Sequence, residues 1–133
     1  MQALEDHGIS DHYLAECHVI DAREILEATT DLLRSNPQIT AIFGVNDETA
    51  LAVMEVAQDL GRQVPGDLSV IGFDDIDLAS CVTPSLTTMH VDKAGMGRLA
   101  VHLLVNRASH PEASSVKVVI GPRLIERDSV CAI

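Results

Sequence analysis

Two patterns alternate along the chain: short continuous apolar runs, as in strands covered on both faces, and longer segments with apolar residues every three or four positions, as in helices. Residues 2–7 read as the tail of a helix closed by Gly8 with no beginning of its own, so a piece of a longer protein is expected. Residues 16–20 are expected to form a short apolar-leaning strand. Asp21 then caps a helix that runs to Leu33 and gathers Ile25, Leu26, Thr29, Leu32 and Leu33 on one face. Asn36-Pro37 ends it. The run Ala41-Ile42-Phe43-Gly44-Val45 predicts a strand buried on both faces, and behind it Asn46 or Asp47 caps a helix over 48–60 that stops at Gly61. Pro65-Gly66 turns the chain into a strand over 68–73 with Asp74-Asp75 at its carboxyl end. A strand over 85–90 follows, Asp92 caps a helix reaching about Asn106, and strands over 116–120 and 124–127 come last.

This alternation predicts an α/β fold, a mostly parallel sheet with crossover helices in a three-layer sandwich. The helix over 48–60 is apolar nearly all round, through Ala50, Leu51, Ala52, Val53, Met54, Val56, Ala57 and Leu60, which predicts a second buried face supplied by a subunit interface.

At 133 residues and 47% hydrophobic, the chain suffices for one globular domain, and with aromatics at 2% its core must be aliphatic. Nine basic against twenty acidic residues leave a formal charge of −11, which repels phosphate backbones and anionic lipid, so this segment is not expected to bind nucleic acid by itself. No apolar run approaches the roughly 20 residues of a membrane span, and the first residues lack a basic stretch followed by an apolar one, so a cytoplasmic protein is expected. Cys17, Cys81 and Cys131 are widely separated and read as reduced thiols. The histidines show no HxH or HExxH spacing, and neither a metal nor a cofactor is expected.

Open parallel sheets bind ligands beyond the carboxyl ends of their strands. Two such ends carry compact polar groups here, Asn46-Asp47 and Asp74-Asp75. An Asn with donor and acceptor beside an ionised Asp suits the hydroxyls of a small neutral polyol or nucleoside. Capping and turning loops favour the same residues, however: Asp47 fits a first-turn carboxylate facing the helix dipole, and Asp75 and Asp77 fit solvated loop charges. The same carboxylates also admit a different chemistry, with Asp47, Asp74 and Asp75 holding Mg²⁺ for an enzyme or phosphoacceptor and Lys93 supplying positive charge, though no Gly-rich phosphate loop accompanies them.

The linked set Thr40-Ala41-Ile42-Phe43, Asn46-Asp47, Ala50-Leu51, Ala57, Gly61, Val64-Pro65, Asp67 and Ser69 to Asp75, continued by Pro84, Leu86-Thr87-Thr88, Met96-Gly97, Ala100 and Arg127-Asp128-Ser129, resembles the carboxyl-terminal half of the lactose/galactose repressor family. The resemblance covers essentially all of residues 1–133. It implies most of one lobe of a periplasmic-binding-protein-like effector sensor, without the amino-terminal helix-turn-helix through which such a repressor reads DNA. Asn46 and Asp74 match positions that hydrogen-bond the effector. Ile20 falls where an aromatic often supports a sugar ring, and Val91 where a polar residue follows the third strand; both are apolar, which points away from an ordinary hexose. The resemblance also implies a homodimer through Leu51, Met54, Ser80, Cys81 and Val82. A helix at about 92–108 would pack on the missing lobe, so its apolar side (Met96, Leu99, Ala100, Leu103, Leu104) predicts a dimer with helix exchange. A periplasmic-type sugar receptor of the same fold is the alternative, and it would require export.

Overall fold

The computed structural model of the chain describes residues 6–8 and 21–132. The expected strand over 16–20, Ile20 and Cys17 lie outside the described residues, as does most of the helix tail over 2–7. Helix α1 spans Ala22–Ser35, and the Asp21 carboxylate accepts from the Arg23 and Glu24 amides at its start. Strand β1 is Ala41–Phe43, helix α2 is Asp47–Asp59, and strand β2 is Ser69–Asp74. A 3₁₀ turn, Asp77–Ser80, leads to strand β3, Thr87–His90. Helix α3, Lys93–Ser109, begins at the Asp92 cap, and strand β4 is Arg123–Ile125.

The strands form one sheet in the order β1-β2-β3-β4, parallel except for β4, which runs antiparallel to β3 with Met89 opposite Leu124. Parallel neighbours require crossovers, and α2 supplies the one from β1 to β2. It lies close on the sheet because two glycines give it room. A Cβ at Gly44 would sit 2.7 Å from the Ala50 nitrogen, and one at Gly72 would sit 2.3 Å from Asp47 Oδ1. The core beneath α2 is aliphatic as expected: Val53, Met54, Val56, Ala57, Leu68, Val70 and Leu86 are all buried.

Several boundaries and environments differ from the sequence reading. β1 is not buried on both faces: Ile42 on one face is half-buried, while Ala41 and Phe43 on the other are exposed, Phe43 by 61%. Residues 116–120 form no strand, and Val119 is 77% exposed, since a β-branched run gains nothing from extension without a partner to complete its ladder. The all-round apolar helix finds cover within the chain. Leu33 of α1 is part of the same buried cluster as Val53 and Met54 of α2, with Leu26, Leu32 and Leu51 packed at its edge. Met54 is thus buried within the chain itself and Leu51 half-buried, while Ser80 and Cys81 are exposed and Val82 half-buried. Helix α3 buries none of its residues, and Leu104 is 69% exposed.

Residues 127–131 return along β2 and β3 and stitch them together. Ser129, fully buried, donates through Oγ to the Val70 carbonyl at 2.6 Å and accepts from the Thr87 amide at 2.8 Å, while its own carbonyl takes the Val70 amide at 2.8 Å. Asp128 accepts from the Ser85 hydroxyl at 2.7 Å, and the Ser69 hydroxyl donates to the Cys131 carbonyl at 3.2 Å. The Arg127-Asp128-Ser129 triplet therefore serves as a seam.

Candidate functional site

Because β1 and β2 are adjacent and parallel, Asn46 and Asp74 lie at the same end of the sheet, each just beyond or at the last residue of its strand. Asn46 is the amino-terminal cap of α2. Its side-chain oxygen accepts from the Thr49 amide at 2.8 Å, which leaves the amide NH₂ to donate elsewhere.

Asp47 has a structural task larger than a first-turn carboxylate. It is fully buried; Oδ2 accepts from the Ile76 amide at 2.8 Å, and Oδ1 from the Thr88 hydroxyl at 2.5 Å. One side chain thereby ties the start of α2 to the loop after β2 and to β3. A threonine inside an apolar strand was the available sign, since its buried hydroxyl needs a partner.

Asp75 is not a solvated loop charge. Its Oδ1 accepts from Arg127 at 2.6 Å and its Oδ2 meets His90 Nδ1 at 2.8 Å. The solvated reading failed because both partners are distant in sequence, Arg127 by 52 residues and His90 by 15. Asp77, by contrast, is exposed as expected. Burial pushes the Asp75 carboxyl upward, but the hydrogen bonds and positive charge of Arg127 and His90 outweigh it and hold the group below the ordinary carboxylate value. A carboxyl lowered on folding stabilises the native state above its unfolded pKa of about 3.9, and that stabilisation is lost as pH falls through the lower native value. Urea titrations should therefore show stability falling below about pH 4, with a shallower fall in Asp75→Asn; equal slopes in the two proteins would contradict this role.

Asp74 differs from both. Its backbone takes φ +114° and Asp75 follows at φ +51°, two consecutive left-handed residues without a glycine. Such backbone costs on the order of 1–3 kcal/mol per strained residue and persists where surrounding contacts fix it. The Asp74 side chain is 38% exposed, and among the described residues its carboxylate meets only Lys93, whose Nζ stands 3.7 Å from Oδ1 and also donates to the Asp74 carbonyl. Val91 is half-buried, and its carbonyl accepts from the Lys93 amide at 2.7 Å as the chain enters α3. No group of three or more His, Cys, Asp or Glu suited to a metal occurs among the described residues. The three-carboxylate Mg²⁺ arrangement therefore does not form: Asp47 and Asp75 are committed to protein donors. Cys81 and Cys131 are free thiols, and among the described residues no helix is long and apolar enough to cross a membrane.

Residues 2–130 match the family described as periplasmic binding protein-like domain. The chain is similar to the ribose operon repressor of Escherichia coli (strain K12), 39% identical over 103 residues, covering 77% of this chain and 31% of that protein. It is similar also to the HTH-type transcriptional repressor PurR of Proteus mirabilis, 36% identical over 104 residues, or 78% of this chain and 30% of that one. Among solved structures, it resembles a LacI family transcriptional regulator from Arthrobacter sp. FB24 in complex with lactose, at 34% identity and a TM-score of 0.83, covering 97% of this chain and 48% of that one. The chain thus spans about a third of the length of these curated relatives.

Proposed function

Since the chain belongs to the periplasmic-binding-protein-like family, as the effector-binding region of a lactose/galactose-type regulator, we propose that it senses a small sugar-like molecule on behalf of a transcriptional regulator. The observation that carries this reading is the contrast among the strand-end carboxylates. Asp47 and Asp75 are used up by protein donors, whereas Asp74 is presented half-exposed on strained backbone with acceptor capacity to spare. A ligand hydroxyl donating to it forms a charge-assisted hydrogen bond, and the Asn46 NH₂ offers a donor from the neighbouring strand end. No catalytic step is needed for that role. In the whole regulator, ligand binding would alter DNA affinity by favouring one lobe arrangement over another, with DNA contacted through a separate helix-turn-helix and the protein acting as a cytoplasmic homodimer.

The names of the relatives, a ribose operon repressor and a regulator in complex with lactose, support a saccharide effector, and the apolar Val91 supports one less polar at that edge than a hexose. A thermal-shift panel of aldoses, disaccharides and nucleosides tests the reading. At least one should raise the melting temperature of the wild type and lose that effect in Asp74→Ala, with an affinity loss of roughly tenfold or more, the size of one charge-assisted hydrogen bond of about 1.5–3 kcal/mol. A response to Mg²⁺ alone, or a saccharide response untouched by Asp74→Ala, would overturn it.

A further inference from the structure

We propose that Lys93 is a specificity-determining residue of this strand-end site, one that with Asp74 selects a neutral hydroxyl group over a cationic amine. The proposal rests on the sensor reading above. Lys93 is the first residue of α3, directly after the Asp92 cap, so its position is set by the helix start. Its ammonium donates to the Asp74 carbonyl and stands 3.7 Å from Asp74 Oδ1, a spacing longer than a direct hydrogen bond. Both side chains remain partly exposed, Lys93 at 56% and Asp74 at 38%, so the gap between them is open to solvent.

An oxygen placed about 2.8 Å from both atoms fits that gap. A hydroxyl satisfies it fully: its oxygen accepts from the ammonium, which has donors only, and its proton goes to the carboxylate, which has acceptors only. A ligand ammonium at the same place gains the carboxylate but meets the Lys93 charge within hydrogen-bonding distance. A ligand carboxylate meets the opposite conflict with Asp74. The wall is therefore tuned to neutral polyols, and the tuning resides in Lys93 as much as in Asp74.

The test is an amide-resolved NMR titration of the whole chain with D-ribose and lactose as neutral probes and D-glucosamine as the cationic one, since such spectra register millimolar binding. In the wild type, a neutral sugar should perturb the amides of Asn46, Asp74 and Lys93 and bind more tightly than D-glucosamine. Lys93→Met should weaken that sugar about tenfold and strengthen D-glucosamine, reversing the preference. Lys93→Arg should restore the original order. Because both groups reach solvent, neither variant should move the ligand-free melting temperature appreciably. Unchanged sugar affinity and unchanged preference in Lys93→Met, with binding still lost in Asp74→Ala, would overturn the assignment of Lys93 and leave the sensor intact. No perturbation of the wild type by either neutral sugar would overturn the assignment of Lys93, and would overturn the sensor reading as well only if every compound of the thermal-shift panel were also without effect.

Discussion

Replacing Asp47 by alanine is expected to remove about 3–5 kcal/mol of folding stability, enough to unfold a marginal domain at ordinary temperature. The carboxylate is fully buried and holds two donors, the Ile76 amide and the Thr88 hydroxyl. Truncation strands both, at roughly 1–3 kcal/mol for each unsatisfied group. It also releases the loop carrying Asp74 and Asp75 from α2. The urea midpoint reports the stability, and hydrogen exchange at Ile76 reports the loop. Asp47→Asn should be milder, because the amide retains one acceptor while its NH₂ opposes one of the donors. A loss below about 1 kcal/mol in Asp47→Ala would show that this side chain is not what joins the two strand ends.

Gly72→Ala is the second severe change. The added carbon would lie 2.3 Å from Asp47 Oδ1, 3.1 Å from Leu86 Cδ2 and 3.2 Å from the Asp47 Cα. The first contact requires the carboxylate to leave its donors, and the others press on a buried leucine and on the backbone of α2. Overpacking alone costs about 1–3 kcal/mol, and with displacement of Asp47 the expected total is about 3 kcal/mol or more. The two substitutions should be strongly non-additive. Once Asp47 is alanine the shortest clash disappears, and Gly72→Ala should then cost far less than in the wild type. Additive losses in the double mutant would mean that the glycine is required for some reason other than the carboxylate above it.

Much of the helix-and-strand order was legible because local rules govern it. Asp21, Asn46 and Asp92 each cap the helix that follows, and aliphatic runs mark β1 and β2. What local rules could not show was partnership across the chain. Residues 116–120 have the composition of a strand, yet a strand exists only where a neighbour completes its ladder. The apolar circumference of α2 correctly signalled two covered faces, but the cover at Leu33 belongs to the preceding helix. At the site, Asn46 and Asp74 were identifiable as strand-end polar residues. The division of labour among Asp47, Asp74 and Asp75 was not, since it depends on Thr88, Lys93 and Arg127 arriving from later segments.

The seam made by residues 127–131 also bears on how the protein acquires its shape during synthesis. Ser129 joins Val70 and Thr87 across sequence separations of 59 and 42 residues, and Arg127 reaches back 41 residues to the Leu86 carbonyl. Contacts this distant are slow to form, because a long loop must close before they repay its entropy. Until residue 129 has left the ribosome, the buried ends of β2 and β3 lack the hydroxyl that bridges them. A nascent chain stalled before that point would therefore carry an incomplete sheet and a greater tendency to associate with other chains.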